Sequence, residues 1–126
     1  MGGMLVRQEP ASVSTVRREL ALELEMWGVP SDVIDDATLV LSEILGNAIR
    51  HCAPVDREDL DVSWVVLRDV VSIAVEDPCD RLPILRIAAP DAPSGRGLAI
   101  VEALCSDWGF DRTARGKRVW ARIAIP

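Results

Sequence analysis

The sequence predicts an α+β fold, a two-layer α/β sandwich in which helices are layered on one face of a mainly antiparallel sheet. Three observations predict it. Two stretches between Ser12 and Cys52 repeat their apolar residues at helical spacing. Two later stretches, from Asp59 and from Trp108, alternate apolar and polar residues as hairpin strands do. A short helical stretch opened by glycines lies between these hairpins.

Met4 to Gln8 reads as a short edge strand, followed by Pro10 and a helix opened by Ser12 or Ser14. Val13, Val16, Leu20, Leu24 and Trp27 form its apolar stripe, and Gly28 ends it. Pro30, Ser31 and Asp32 start a second helix, because proline and a capping side chain suit a first turn whose backbone donors lack partners. That helix runs to about Cys52 and stops before Pro54, with Val33, Ile34, Ala37, Val40, Leu41, Ile44, Leu45 and Ala48 as its buried stripe. From Asp59 the period becomes two: Leu60, Val62, Trp64 and Val66 alternate with polar residues, Arg68-Asp69 turns the chain, and Val71, Ile73 and Val75 return to Glu76-Asp77. Between Pro78 and Pro93 four prolines rule out helix or interior strand. Helix resumes at Ser94 with Leu98, Ala99, Val101, Leu104 and Cys105. A last hairpin joins Trp108–Thr113 to Lys117–Ile125 across Ala114-Arg115-Gly116. One face of the resulting sheet is left open or partnered.

With 126 residues, 49% of them apolar, the chain suits a single domain over residues 1–126 with a real core. A net charge of −6 and no Lys/Arg run longer than a pair argue against direct nucleic-acid binding, which draws on clustered positive charge. Cys52, Cys79 and Cys105 are odd in number and lack a CxxC pair. They read as reduced thiols packed as small hydrophobes in a cytoplasmic protein. No apolar run reaches the roughly 20 residues that span a bilayer, so no membrane partner is expected.

Within the second helix, Glu43, Asn47 and His51 recur every fourth residue. Each such step drifts only roughly 40° around the axis, so carboxylate, amide and imidazole form one row. The row runs from the flank of the buried stripe to its edge. Glu, Asn and His also decorate ordinary solvent-facing helices. Asn47, however, sits at a boundary in a residue type that costs helix stability and is commoner at caps. A carboxylate can take a proton, and an amide oxygen can ligate a hard cation.

Glu43…Asn47-Ala48…His51, then Asp77 closing a strand, Gly95-Arg96-Gly97-Leu98 opening a helix and Gly116-Lys117 before a last strand resemble, in this order, the Bergerat-fold (GHKL) ATP-binding domain. Within that superfamily the chain is most similar to the small bacterial anti-sigma factor serine kinases and their actinobacterial relatives. The resemblance implies ATP and Mg2+ as ligands. It implies Glu43 as the base that takes a proton from an attacking hydroxyl, and Asn47 as the ligand of the phosphate-bridging magnesium. Asp77 would accept a hydrogen bond from the adenine amino group. Gly95 and Gly97 would bring backbone N–H groups to the phosphates at a helix N-terminus, with Arg96 and Leu98 beside them. Arg50 and His51 would stand near the nucleotide or at the pocket's edge.

Two positions depart from the family pattern. Asp77-Pro78-Cys79-Asp80-Arg81 stands where Asp-x-Gly-x-Gly is usual, and Arg118 stands after Gly116-Lys117, where a threonine often supports the aspartate. The function implied is a protein-serine kinase that phosphorylates an antagonist (anti-anti-sigma) protein in partner-switching control of transcription. The alternative is a non-catalytic module that sequesters a sigma factor and whose nucleotide pocket is reduced. A homodimer through the exposed sheet edge or the first helix is compatible with either.

Overall fold

A computed structural model describes residues 2–51, 59–78 and 96–126, with only the backbone described for His51 and residues 96–98. The chain runs β1 (Gly2–Val6), α1 (Ala11–Met26), α2 (Ser31–His51), β2 (Leu60–Leu67), β3 (Val70–Asp77), α3 (Arg96–Leu104), β4 (Asp107–Arg112) and β5 (Lys117–Ala124). The five strands form one sheet in the order β1-β2-β3-β5-β4, and every neighbouring pair is antiparallel. This is the α+β architecture that the sequence predicts.

Alternation along the strands divides the sheet into two faces. Val62 pairs with Val75, Trp64 with Ile73, Ile73 with Ala121 and Val71 with Ile123. All of these join Val16, Leu20 and Leu24 of α1 and Val33, Ala37, Val40, Leu41, Ile44, Leu45 and Ala48 of α2 in one core. Fully burying each leucine among them stabilises the fold by about 1.5–3 kcal/mol. The opposite face carries Ser63, Ser72, Arg118, Trp120 and Arg122. There Ala74 is buried opposite Trp120, and the Arg122 guanidinium stacks 4.8 Å from the indole centroid. A Cβ on Gly109, the cross-strand partner of Trp120, would stand 2.8 Å from that ring, so the indole needs a glycine beneath it.

The helix boundaries follow local chemistry. Gly28, at φ +76°, closes α1 with Val29 N–H donating to the Leu24 carbonyl at 3.0 Å and Gly28 N–H to the Glu25 carbonyl at 3.0 Å. These two bonds make a Schellman cap, and buried Val29 and Leu24 supply the apolar contact that accompanies it. The start of α1 differs from the expectation of a serine cap. Pro10 is its N-cap and no side chain caps it, while the Ser12 hydroxyl donates back to the Arg7 carbonyl at 2.7 Å. Trp27 also departs from the apolar stripe: it is the C-cap residue and is exposed, because the Gly28 turn takes the chain off the helix there. β1 lies two residues earlier than its sequence signal, at the sheet edge, where Val6 is buried and Leu5 exposed. The proline-rich segment after Pro78 lies outside the described residues, as do Cys52, Cys79 and Ser94.

Candidate functional site

Helix α2 is the central element, packing against α1, α3, β3 and β5. Its apolar stripe turns toward the sheet, which leaves Glu43 and Asn47 half-buried along its flank, one turn apart. This is the boundary position that the spacing predicts. Earlier in the same helix the hydroxyls bond to its own carbonyls: Thr38 donates to the Asp35 carbonyl at 3.0 Å and Ser42 to the Thr38 carbonyl at 2.7 Å. Arg50 is exposed and folds back along the helix, its Nη1 lying 3.4 Å from where a Cβ on Gly46 would stand. His51 is the last helical residue, and its side chain lies outside what is described.

The second part of the site is built by the sheet. The inner-face alternation Val71, Ile73, Val75 ends at Asp77, and Asp77 pairs across the ladder with Lys117, the first residue of β5. Both side chains therefore project to the helix-covered side. Asp77 is fully buried (0% exposed) and Lys117 nearly so (8%), and Lys117 Nζ donates to Asp77 Oδ1 at 3.1 Å. A carboxylate taken out of water at this depth is tolerated only beside a compensating charge or donor set, and the ammonium supplies one. The register also corrects the place of Arg118. It pairs with Glu76 one step along both strands and so faces the opposite side of the sheet from Asp77. The residue that supports the aspartate is Lys117, not residue 118. Next to it Arg115 ties the β4–β5 turn to the sheet, reaching Glu76 Oε1 at 3.5 Å and the Asp59 carbonyl at 2.9 Å.

The third part is α3, whose first turn is formed by the backbone of Arg96, Gly97 and Leu98; Gly95 lies outside the described residues. Glu43 and Asn47 lie on α2, and Asp77 of β3 and the start of α3 lie on elements that pack against it, with the side chains of residues 96–98 not described.

The model of the histidine kinase-like ATPase domain matches residues 6–123, which is nearly the whole chain. The chain belongs to this family. No curated protein matches the chain closely enough to count as a relative. Membership in an ATPase-domain family agrees with the antiparallel α+β sheet.

Sequence reasoning missed Lys117 as the buried partner of Asp77, although the signal was present. Counting back from Ile123, Ala121 and Val119 in steps of two puts Lys117 on the inner face, as counting forward from Val71 puts Asp77 there. Among the described residues no group of three or more His, Cys, Asp or Glu is arranged to hold a metal ion, and no helix is long and apolar enough to cross a membrane. Cys105, at the end of α3, is a free, half-buried thiol. Burial, with a smaller contribution from the negative charge of Asp36, pushes its pKa up to about 11. It is protonated at neutral pH and a poor nucleophile.

Proposed function

We propose that the chain binds ATP with magnesium and transfers the γ-phosphoryl group to a serine of an antagonist protein, as an anti-sigma-type kinase in partner-switching control of transcription. The observation that supports this reading best is the fully buried Asp77 carboxylate, paired at 3.1 Å with Lys117 on the helix-covered side of the sheet. A buried acceptor of this kind is suited to reading the amino group of a base. Glu43 and Asn47 then divide the chemistry between them. Glu43 accepts the proton of the serine hydroxyl as its oxygen bonds to the γ-phosphorus, and the bond to the departing ADP oxygen breaks. Asn47 offers one amide oxygen to the cation.

Magnesium, when bound, neutralises charge on the phosphate oxygens. The donor set fits it: magnesium is usually held by one or two protein oxygens together with phosphates and water, not by a dedicated protein cage. The exposed Arg50 adds positive charge on the same helix, and backbone N–H groups at the start of α3 suit phosphate oxygens.

A second reading, a non-catalytic sigma-binding module, draws on the Lys117 ammonium already occupying one oxygen of Asp77 and on the missing glycines after it. Calorimetric titration with Mg-ATP separates the two. Binding is expected in the wild type, with a stabilisation of about 2.7 kcal/mol at a ligand concentration a hundred times Kd. Asn47→Ala should abolish the magnesium-dependent part. Glu43→Ala should keep binding while phosphate transfer to the antagonist disappears. No heat and no melting shift at millimolar nucleotide would refute the ATP-binding reading.

A further inference from the structure

We propose that Lys117 is a specificity-determining residue that reads the purine base together with Asp77, its ammonium donating to the adenine ring nitrogen N1 while Asp77 accepts from the adjacent amino group. The inference rests on the ATP-binding reading and adds a residue that the family resemblance does not assign. Asp77 and Lys117 are direct cross-strand partners, both lie on the inner face at its last rung, and their polar atoms are 3.1 Å apart. The sheet thus presents an acceptor and a charged donor side by side, in register, from two hydrogen-bonded strands.

Adenine presents the complementary pair on one edge, an amino donor beside a ring-nitrogen acceptor, and flipped-out bases are read along this edge elsewhere. Guanine in the same pose presents a carbonyl oxygen to the carboxylate and an N1–H to the ammonium. Acceptor then faces acceptor and donor faces donor. Rejection by two such mismatches is stronger than a pocket wall achieves by shape, because buried polar groups are left without partners. A threonine hydroxyl beside the aspartate both donates and accepts, so it does not enforce this choice. An ammonium only donates.

The anchoring is also favourable. Strand pairing fixes the Cα atoms of both residues, and the lysine stem is buried with its head, so little side-chain freedom remains to be lost on binding. A charge-assisted hydrogen bond formed in such a place is stronger than a neutral one.

The experiment is calorimetric titration of the full chain with Mg-ADP, Mg-GDP and the magnesium complex of 1-deaza-ADP, in which C–H replaces N1. Wild type is expected to bind ADP about tenfold or more tightly than 1-deaza-ADP, as loss of one charged hydrogen bond predicts, and to bind GDP at least about a hundredfold more weakly. Lys117→Met should lose ADP affinity and bind ADP and 1-deaza-ADP alike, and Lys117→Arg should restore part of the difference. Equal wild-type affinity for ADP and 1-deaza-ADP overturns the role of Lys117 and leaves ATP binding standing. A Lys117→Met variant that binds ADP more tightly than wild type, or that still discriminates the two analogues, also overturns it. A wild type that binds none of the three overturns the ATP-binding reading together with this one. The wild-type measurements decide the matter even if Lys117→Met fails to fold.

Discussion

Replacing Lys117 with methionine keeps the length and apolar stem of the side chain and removes only the ammonium, so the loss in stability reports the buried ion pair. Asp77 is fully buried and its Oδ1 accepts from Lys117 Nζ at 3.1 Å, with the lysine side chain itself 10% exposed. At this depth solvent does not screen the pair, and removing one partner of a buried pair costs about 3–5 kcal/mol. Since Asp77 has a further interaction besides the lysine, the lower end, about 3 kcal/mol, is expected. Against a total stability of roughly 5–15 kcal/mol for a domain of this size, that is a large fraction. It corresponds to a fall in melting temperature on the order of 10 °C. Urea unfolding followed by circular dichroism measures it, with an unchanged m-value showing that stability and not compactness has changed. Asp77→Asn, which removes the opposing charge, should make the lysine substitution much cheaper, and the double-mutant cycle gives the coupling directly. If Lys117→Met costs less than about 1 kcal/mol, or if the two substitutions are additive, the pair is not the buried contact described here.

Two further outcomes follow from the same structure. Gly28→Ala should destabilise the chain by about 1–2 kcal/mol in thermal unfolding. The space around Gly28 is open, but φ +76° strains any residue with a Cβ; a neutral result would show that the Schellman cap is not maintained. In a Cys52→Ser/Cys79→Ser background, alkylation of Cys105 by iodoacetamide should be slow at neutral pH and accelerate as pH rises toward about 11. Stability should move the other way: a thiol whose folded pKa is raised from 9.0 to about 11 contributes fully below pH 9 and loses that contribution across this window. Rapid labelling at pH 7 would contradict the burial of the thiol.

The parts of the fold that periodicity encodes are legible, and those set by one particular hydrogen-bond partner or turn are not. The stripe from Val33 to Ala48 and the alternation through Val62, Val71 and Ile123 specify one buried face each, and a single such face fixes which side of a helix or strand meets the core. Ser12 does not open α1, because the hydroxyl of a serine near a helix start can donate to a preceding carbonyl as well as accept from a backbone N–H. The Arg7 carbonyl five residues earlier takes its hydroxyl, and Pro10, not serine, occupies the cap. Spacing alone puts Trp27 on the stripe, but spacing does not register that Gly28 turns the backbone there. Lys117 is legible in part: period two places it on the inner face of its strand. Only pairing with β3 reveals that its neighbour is a buried carboxylate.

The two halves of the candidate site owe their positions to different physical causes. Glu43 and Asn47 owe their position to α2, whose apolar stripe would bury equally well with alanine or glutamine at those two places, since neither side chain belongs to the core cluster. Folding does not require them there. Asp77 and Lys117 differ: once both occupy the inner face, each stabilises the other, and a hydrophobic pair of similar volume would often serve stability as well or better. A buried ion pair is therefore a weak device for holding this sheet together. What it supplies that valine or leucine in the same places would not is a fixed acceptor beside a fixed donor. The proposed reading of the base uses that arrangement, and the Lys117 substitutions test it at both levels, in stability and in ligand choice.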